Sequence, residues 1–99
     1  MSYAWIIDWG NPKIDLQDEI RQMGPSTISN EQVAILAEPD NGEKFKMYDD
    51  DGMKYYEGRI IGERDYEAGF EPLDDFGMPN AGCTDIRYKN KKTGEWESI

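Results

Sequence analysis

Residues 44–58 read KFKMYDDDGMKYYEG, and this stretch predicts a β-hairpin together with its register. Asp51-Gly52 is a strong signal for a two-residue type I′ turn, in which both central residues need positive φ. The acidic turn is flanked on both sides by lysines and aromatic residues, and aromatic residues are typical of strands. We therefore expect an antiparallel hairpin over residues 43–61.

The turn fixes which residues face one another across this hairpin. With Asp51-Gly52 at the tip, the expected pairs are Asp50–Met53, Asp49–Lys54, Tyr48–Tyr55, Met47–Tyr56, Lys46–Glu57 and Phe45–Gly58. Opposite charges, aromatic pairs and apolar pairs placed in this way each contribute about 0.2–1 kcal/mol. Gly58 has no side chain, so it leaves room for the ring of Phe45.

Shorter elements are predicted on the N-terminal side of the hairpin. Tyr3 to Asp8 reads as a strand closed by a turn. Residues 15–23 place three apolar side chains on one helical stripe, with Asp15 as the cap and Gly24-Pro25 as the end. Ser29 and Gln32 form a capping-box pattern that favours a second helix over residues 30–38. The apolar run at 33–36 also suits a buried strand, and periodicity does not separate the two.

The C-terminal half combines an irregular segment with a second hairpin. Residues 62–83 are rich in glycine, proline and acids and show no sustained period, so we expect a long acidic loop that packs Phe70, Leu73, Phe76 and Met78 on the core. Residues 84–98 predict a closing hairpin that carries basic residues. The fold class is therefore α+β: one small domain over residues 1–99, with an N-terminal strand and two short helices followed by antiparallel hairpins at 43–61 and 84–98.

Charge is the outstanding global feature of the chain. The 99 residues include 21 acids, 11 bases and no histidine, which gives a net charge of −10. Such a chain is repelled by nucleic acid and by anionic membranes and is attracted to basic surfaces. Twelve per cent of the residues are aromatic, which argues against a disordered acidic tail. No signal peptide and no membrane span is predicted, and the expected location is the cytoplasm.

Several kinds of chemistry have no residues to support them. Without histidine there is no Ser-His or Cys-His dyad, and one cysteine makes no zinc or iron–sulfur site within a single chain. Cys83 is expected to be a buried structural thiol. No phosphate-binding glycine motif occurs. The DDDG stretch lacks the first and last ligands of a calcium-binding EF-hand loop, so a solvated turn is favoured over a loose magnesium or calcium site that would add Asp74 or Asp75. No cofactor, no metal site and no catalytic residue is predicted.

The excess negative charge lies outside DDDG, in the first two-fifths of the chain and in residues 63–85. The candidate partner-binding residues are the acids of the two helices, the acids of the 62–83 segment, and one tryptophan beside a turn: Asp15, Asp18, Glu19, Glu31, Glu63, Asp65, Glu67, Glu71, Asp74, Asp75 and Trp9. Carboxylates spaced along one face imitate the phosphate row of a nucleic acid. We therefore expect a non-enzymatic protein that occupies a basic, nucleic-acid-binding surface of a partner protein.

In size, charge and lack of catalytic residues the chain resembles the small acidic inhibitors carried by phages and mobile elements, such as anti-restriction and anti-CRISPR proteins. That resemblance implies a partner in a nucleic-acid-handling complex and a location in the host cytoplasm, and it assigns no site residue. Two other readings stay open. One is an interaction or accessory module whose acidity only provides solubility. The other is a magnesium- or calcium-dependent carboxylate enzyme.

Overall fold

A six-stranded antiparallel sheet is the centre of the computed structural model of the chain, which describes residues 3–14, 20–62 and 65–99. The strands lie in the order β2-β1-β4-β3-β5-β6. Their bounds are β1 Tyr3–Gly10, β2 Met23–Gly24, β3 Glu43–Tyr48, β4 Lys54–Gly62, β5 Asp85–Lys89 and β6 Trp96–Ser98. The predicted α+β class is confirmed, with more sheet than helix.

The predicted hairpin at 43–61 is formed by β3 and β4. Three of the expected pairs are observed: Phe45–Gly58, Lys46–Glu57 and Met47–Tyr56. A bulge then places Tyr48 opposite Lys54 instead of Tyr55, so the pairs expected nearer the tip are wrong. The Phe45–Gly58 pair works as predicted, since a Cβ on Gly58 would lie 2.5 Å from Cζ of Phe45 and 2.2 Å from the carbonyl oxygen of Ile6.

The turn itself differs from the predicted type. The N–H of Gly52 donates to the carbonyl of Asp49 at 3.1 Å, and the N–H of Asp49 donates to the carbonyl of Met53 at 3.0 Å. Gly52 has φ of 81°, whereas Asp51 is not left-handed, so the loop has three residues and ends in a glycine bulge. The carboxylate of Asp49 accepts the N–H groups of Asp51 and Met53, both at 2.9 Å. These bonds stabilise the three-residue loop, and they lower the pKa of Asp49, the bond from Met53 most of all.

Each face of the sheet is defined by the alternation of side chains along the strands. The face that we call the core face carries Trp5, Ile7, Phe45, Met47, Tyr56, Ile60, Ile86 and Tyr88. Leu73, Phe76 and Cys83 pack against these residues from the segment that follows β4. Within residues 3–14, 20–62 and 65–99, the opposite face is covered by a helix only over part of its width, near β1 and β4.

The segment predicted as a long loop is helical, so that prediction is wrong. It contains α2 Tyr66–Pro72, a π-helical segment Leu73–Gly77 and α3 Met78–Ala81, which follow one another without a break. Asp65 caps the first helix by accepting the N–H of Ala68 at 2.8 Å, and Gly82 ends the last one with φ of 71°. We call residues 65–82 the helical layer.

Proline accounts for the irregular hydrogen-bonding pattern of the helical layer. Pro72 and Pro79 have no N–H, so neither donates the bond that an α-helix places four residues back. Between them the backbone adopts the wider π pattern, in which the N–H of Met78 donates to the carbonyl of Leu73. The expectation that Leu73 and Phe76 pack on the core is confirmed, while Met78 is exposed.

The second predicted helix is confirmed as α1, Asn30–Leu36, with the expected capping box. The hydroxyl of Ser29 accepts the N–H of Gln32 at 3.1 Å, and the side chain of Gln32 accepts the N–H of Ser29 at 2.9 Å. Leu36 packs with Ala4 and Ile6 on the face of the sheet opposite the core face. A helix therefore forms here, and the alternative of a buried strand is excluded.

Arg59 ties the end of α1 to the sheet. Its guanidinium donates two bonds to the carboxylate of Asp8, at 2.7 and 2.9 Å. It donates three more to the carbonyls of Leu36, Glu38 and Asn41, at 2.9, 2.7 and 2.7 Å. All five donors of an arginine are thereby used, and the side chain is 6% exposed. The hydrogen bonds that Arg59 donates to Asp8 raise the pKa of Arg59, which keeps the guanidinium charged.

The remaining predictions have mixed outcomes. The strand predicted at 3–8 is confirmed as β1, and the closing hairpin at 84–98 is confirmed as β5 and β6. The helix predicted over 15–23 is wrong at its end, because Met23 lies in β2 opposite Ile6. Residues 15–19 lie outside the described residues. The helices of the described part of the chain are too short and too polar to cross a membrane.

Candidate functional site

Four of the predicted acidic residues are exposed together on the helical layer. They are Asp65, Glu67, Asp74 and Asp75. A fifth acid, Glu71, lies between them in the sequence and is half-buried. Residues 65–84 contain these five acids and no lysine or arginine. Because the layer covers the core face of the sheet, its outer side presents charge of a single sign to solvent.

Glu71 anchors the helical layer to β1. Its carboxylate accepts the hydroxyl of Tyr3 and, at 3.1 Å, the indole N–H of Trp5. Asp75 lies one helical turn further on, and Glu71 is its neighbour on the helical layer. Burial, followed by the neighbouring Glu71, raises the pKa of Asp75, and burial together with Glu71 raises the pKa of Tyr3. Glu71 therefore has a structural role, which the sequence did not indicate.

A shallow groove runs beside the acidic surface. It has a volume of about 370 Å³ and lies between the β2 segment and the helical layer. Asp75 and Asn80 line one side, Met23 and Gln22 line the other, and the ring of Trp5 contributes to the lining. Met23 and Met78 are 38% and 48% exposed. The acidic surface thus has apolar methionine side chains beside it, and methionine adapts readily to a partner surface.

The other predicted site residues do not join this surface. Glu31 is exposed in the first turn of α1, on the opposite side of the sheet. Trp9 lies in the sheet opposite Glu57, half-buried, with the ammonium of Lys54 4.6 Å from its ring centroid. Asp15, Asp18, Glu19 and Glu63 lie outside the described residues. Among the described residues, the predicted acids that lie together are therefore those of the helical layer.

Two further sequence predictions concern DDDG and Cys83. Asp49 serves the turn as a hydrogen-bond acceptor, and Asp50 and Asp51 are exposed. Among the described residues, no group of three or more acidic or cysteine side chains is arranged to hold a metal ion. Cys83 is fully buried, as predicted, and burial raises the pKa of its thiol to about 12.

The face of the sheet opposite the core face, which we call the open face, carries a cluster of cations that sequence reasoning missed, and one of them, Arg59, is buried beside α1. Cross-strand register places six bases on this open face, with three acids and three aromatic side chains. The bases are Lys44, Lys46, Lys54, Arg59, Arg87 and Lys89; the acids are Asp8, Glu57 and Asp85; the aromatic residues are Trp9, Tyr48 and Trp96. Counted over these described strand residues, the face has a net charge of +3 on a protein of net charge −10.

Half of the cations on the open face have carboxylate partners. Lys54 pairs with Glu57, Arg59 with Asp8, and Arg87 with Asp85. Within residues 3–14, 20–62 and 65–99, no ion pair is formed by Lys44, Lys46 or Lys89. The alternation of side chains along β3 could have revealed this cluster, because it places Lys44 and Lys46 on the same face of the sheet. The acids of the turn lie outside the strand.

No protein-family model, no curated protein and no solved structure matches this chain. The fold and the two charged surfaces define it as a small α+β protein with an acidic helical side and a basic sheet side.

Proposed function

We propose that this protein is a non-enzymatic acidic binding protein whose helical layer occupies a basic, nucleic-acid-binding surface of a partner protein. The observation that carries the proposal is the charge of residues 65–84, which hold five acids and no base in one continuous helical layer. Four of these carboxylates are exposed. Carboxylates at this density attract the lysines and arginines that a partner uses to hold phosphates.

Contacts between the helical layer and the sheet favour an acidic surface that is already formed before a partner binds. Glu71 bonds to Tyr3 and Trp5, and Leu73 and Phe76 are buried in the core. The exposed acids on either side of Glu71 are therefore displayed from a backbone fixed to the sheet. A surface that is ordered before binding loses less conformational freedom on association, which favours affinity.

The groove beside Asp75 suggests how a partner arginine binds. If the guanidinium of a partner arginine pairs with the carboxylate of Asp75, the aliphatic part of that side chain would pack against Met23 and the ring of Trp5. An arginine held in this way would be both paired in charge and packed, which is the usual character of an interface hot spot. The proposed class of protein is the acidic anti-defence inhibitor of phages and mobile elements, working in the host cytoplasm.

The test is a pulldown from a host lysate, with mass spectrometry of the captured proteins. We expect a basic nucleic-acid-handling protein, bound less tightly when salt or competing DNA is added. The variant Glu67→Lys/Asp74→Lys should lose the partner. The matched control, Glu31→Lys/Asp40→Lys, changes the net charge equally on exposed residues outside the helical layer and should keep it.

Two results would reject the proposal. The first is capture of a partner that is not basic and whose binding does not change with salt. The second is equal loss of binding in the two double variants, because overall charge and not the helical layer would then explain the interaction. Either outcome would favour the reading in which acidity provides solubility alone.

A further inference from the structure

The open face of the sheet places positively charged side chains directly opposite one another. Lys44 lies directly opposite Arg59 on β4, and Lys46 lies directly opposite Arg87 on β5. Like charges in directly opposed positions are destabilising. Lys46 also faces Glu57, but that carboxylate is engaged by Lys54. Among the residues that the structure describes, no carboxylate forms an ion pair with Lys44 or Lys46.

The three lysines that form no ion pair with a described residue, Lys44, Lys46 and Lys89, line one concave site. A cavity of about 460 Å³ is lined by Lys44, Lys46, Lys89 and Trp96, and Asp8, Glu57 and Arg59 also lie in its wall. Both carboxylates are engaged by other cations, since Asp8 pairs with Arg59 and Glu57 pairs with Lys54. The ammonium of Lys46 lies 4.1 Å from the ring centroid of Trp96, which helps to hold both side chains. The volume falls within the range of small-molecule sites, about 300–1,000 Å³.

The geometry points to a binding site for a small polyvalent phosphate ligand on the open face of the sheet, held by Lys44, Lys46 and Lys89 beside Trp96. Lysine binds phosphate as a point charge. Arg59 and Arg87 are already bonded to Asp8 and Asp85, so the three lysines are left to meet the ligand. Their three charges match a diphosphate group, and a bound anion relieves the repulsion between opposed cations.

This site is independent of the proposed function, because it lies on the other side of the sheet from the helical layer. Nucleic acid is a poor occupant, since the net charge of −10 repels a long polyanion at a distance. That repulsion grows with the charge and length of the ligand. A small phosphate compound experiences mainly the local field of the three lysines.

Calorimetric titration with pyrophosphate provides the test, with sulfate and citrate at matched ionic strength as comparisons. We expect saturable binding of pyrophosphate and a rise in the melting temperature. The variant Lys44→Gln/Lys46→Gln/Lys89→Gln should bind at least about tenfold more weakly. The control Lys13→Gln/Lys91→Gln/Lys92→Gln removes the same charge elsewhere and should bind like the wild type. Single Lys→Gln variants should show partial losses.

Three outcomes would overturn the inference. The first is the absence of saturable heat and of any melting shift up to about 10 mM pyrophosphate, a range that covers millimolar dissociation constants. The second is an equal loss of binding in the two triple variants, since that pattern belongs to general screening. The third is binding of citrate or sulfate as tight as that of pyrophosphate, which would contradict the assignment to phosphate compounds.

Discussion

Replacing Arg59 by alanine removes the side chain that fastens α1 to the sheet, and we expect a large loss of stability. The five bonds of the guanidinium go to the Asp8 carboxylate and to carbonyls at and beyond the end of α1. Lysine would not replace them, because it offers one charged nitrogen in place of a planar fork. Arg59→Lys is therefore expected to lose most of the same stability.

The size of the loss depends on whether each hydrogen-bond acceptor of Arg59 can bond to water after the substitution. The carbonyl of the buried Leu36 would lose a charged donor, which costs about 1–3 kcal/mol. Glu38 and Asn41 are exposed and regain water, and the Asp8 side chain is already 37% exposed, so each of these adds less. The sum is about 3 kcal/mol in the free energy of unfolding. In a domain of this size that lowers Tm by roughly 12–24 °C.

Urea unfolding with linear extrapolation measures this loss. Arg87→Ala is a suitable control, because Arg87 also pairs with an aspartate at 2.7 Å but its side chain is 37% exposed. We expect that control to lose less than about 1 kcal/mol. If Arg59→Ala and Arg87→Ala lose the same free energy within about 0.5 kcal/mol, the buried network is not what holds α1, and the reasoning fails.

Two further predictions concern packing and pH. Gly58→Ala should lose at least about 2 kcal/mol of unfolding free energy in urea, because the new Cβ overlaps the ring of Phe45. Gly52→Ala is the control and should lose about 1 kcal/mol, because only its positive φ disfavours alanine. Equal losses in the two variants would contradict the close approach of Gly58 to Phe45. Burial and Glu71 raise the pKa of Asp75 above its ordinary 3.8, so its stabilising contribution is present below that value and is lost as the pH rises through the folded-state pKa. Asp75→Asn should therefore gain stability relative to the wild type between pH 4 and pH 7, and identical changes in the urea midpoints of the two proteins would refute this.

Local sequence predicted the elements whose signals are short and chemical. Gly58 predicted the register of β3 and β4, and Ser29 with Gln32 predicted the start of α1. The turn type was missed because Asp49 caps the loop with its own carboxylate, a bond that permits three residues where the Asp-Gly pattern predicts two.

The helical layer was missed for a reason of periodicity. Pro72 and Pro79 read as breakers, and the π segment shifts the spacing of the apolar residues Ala68, Leu73 and Phe76 away from 3.6 residues per turn. A search for helical stripes therefore finds none in 62–83. The helix expected over 15–23 shows the opposite error, since the apolar Met23 that completed the stripe belongs to an edge strand.

The two charged surfaces differ in how much of each could be predicted from the sequence. The acids of 65–75 are contiguous in sequence, so the acidic surface was predicted although its backbone was not. The basic cluster brings together residues from β3 and β5 that are some forty positions apart. The pairing of Arg59 with Asp8 joins residues 51 positions apart, and no local pattern indicates it.

Strand β3 exposes neighbouring residues to separate selective pressures. Phe45 and Met47 are fully buried against the helical layer, so change at these positions is limited by whether the domain folds. Lys44 and Lys46 alternate with them and point away from the core, so change there is limited by what the open face encounters outside the molecule. A diverged relative could therefore reverse the charge of one side of the strand while its core sequence drifted only among apolar residues of similar volume.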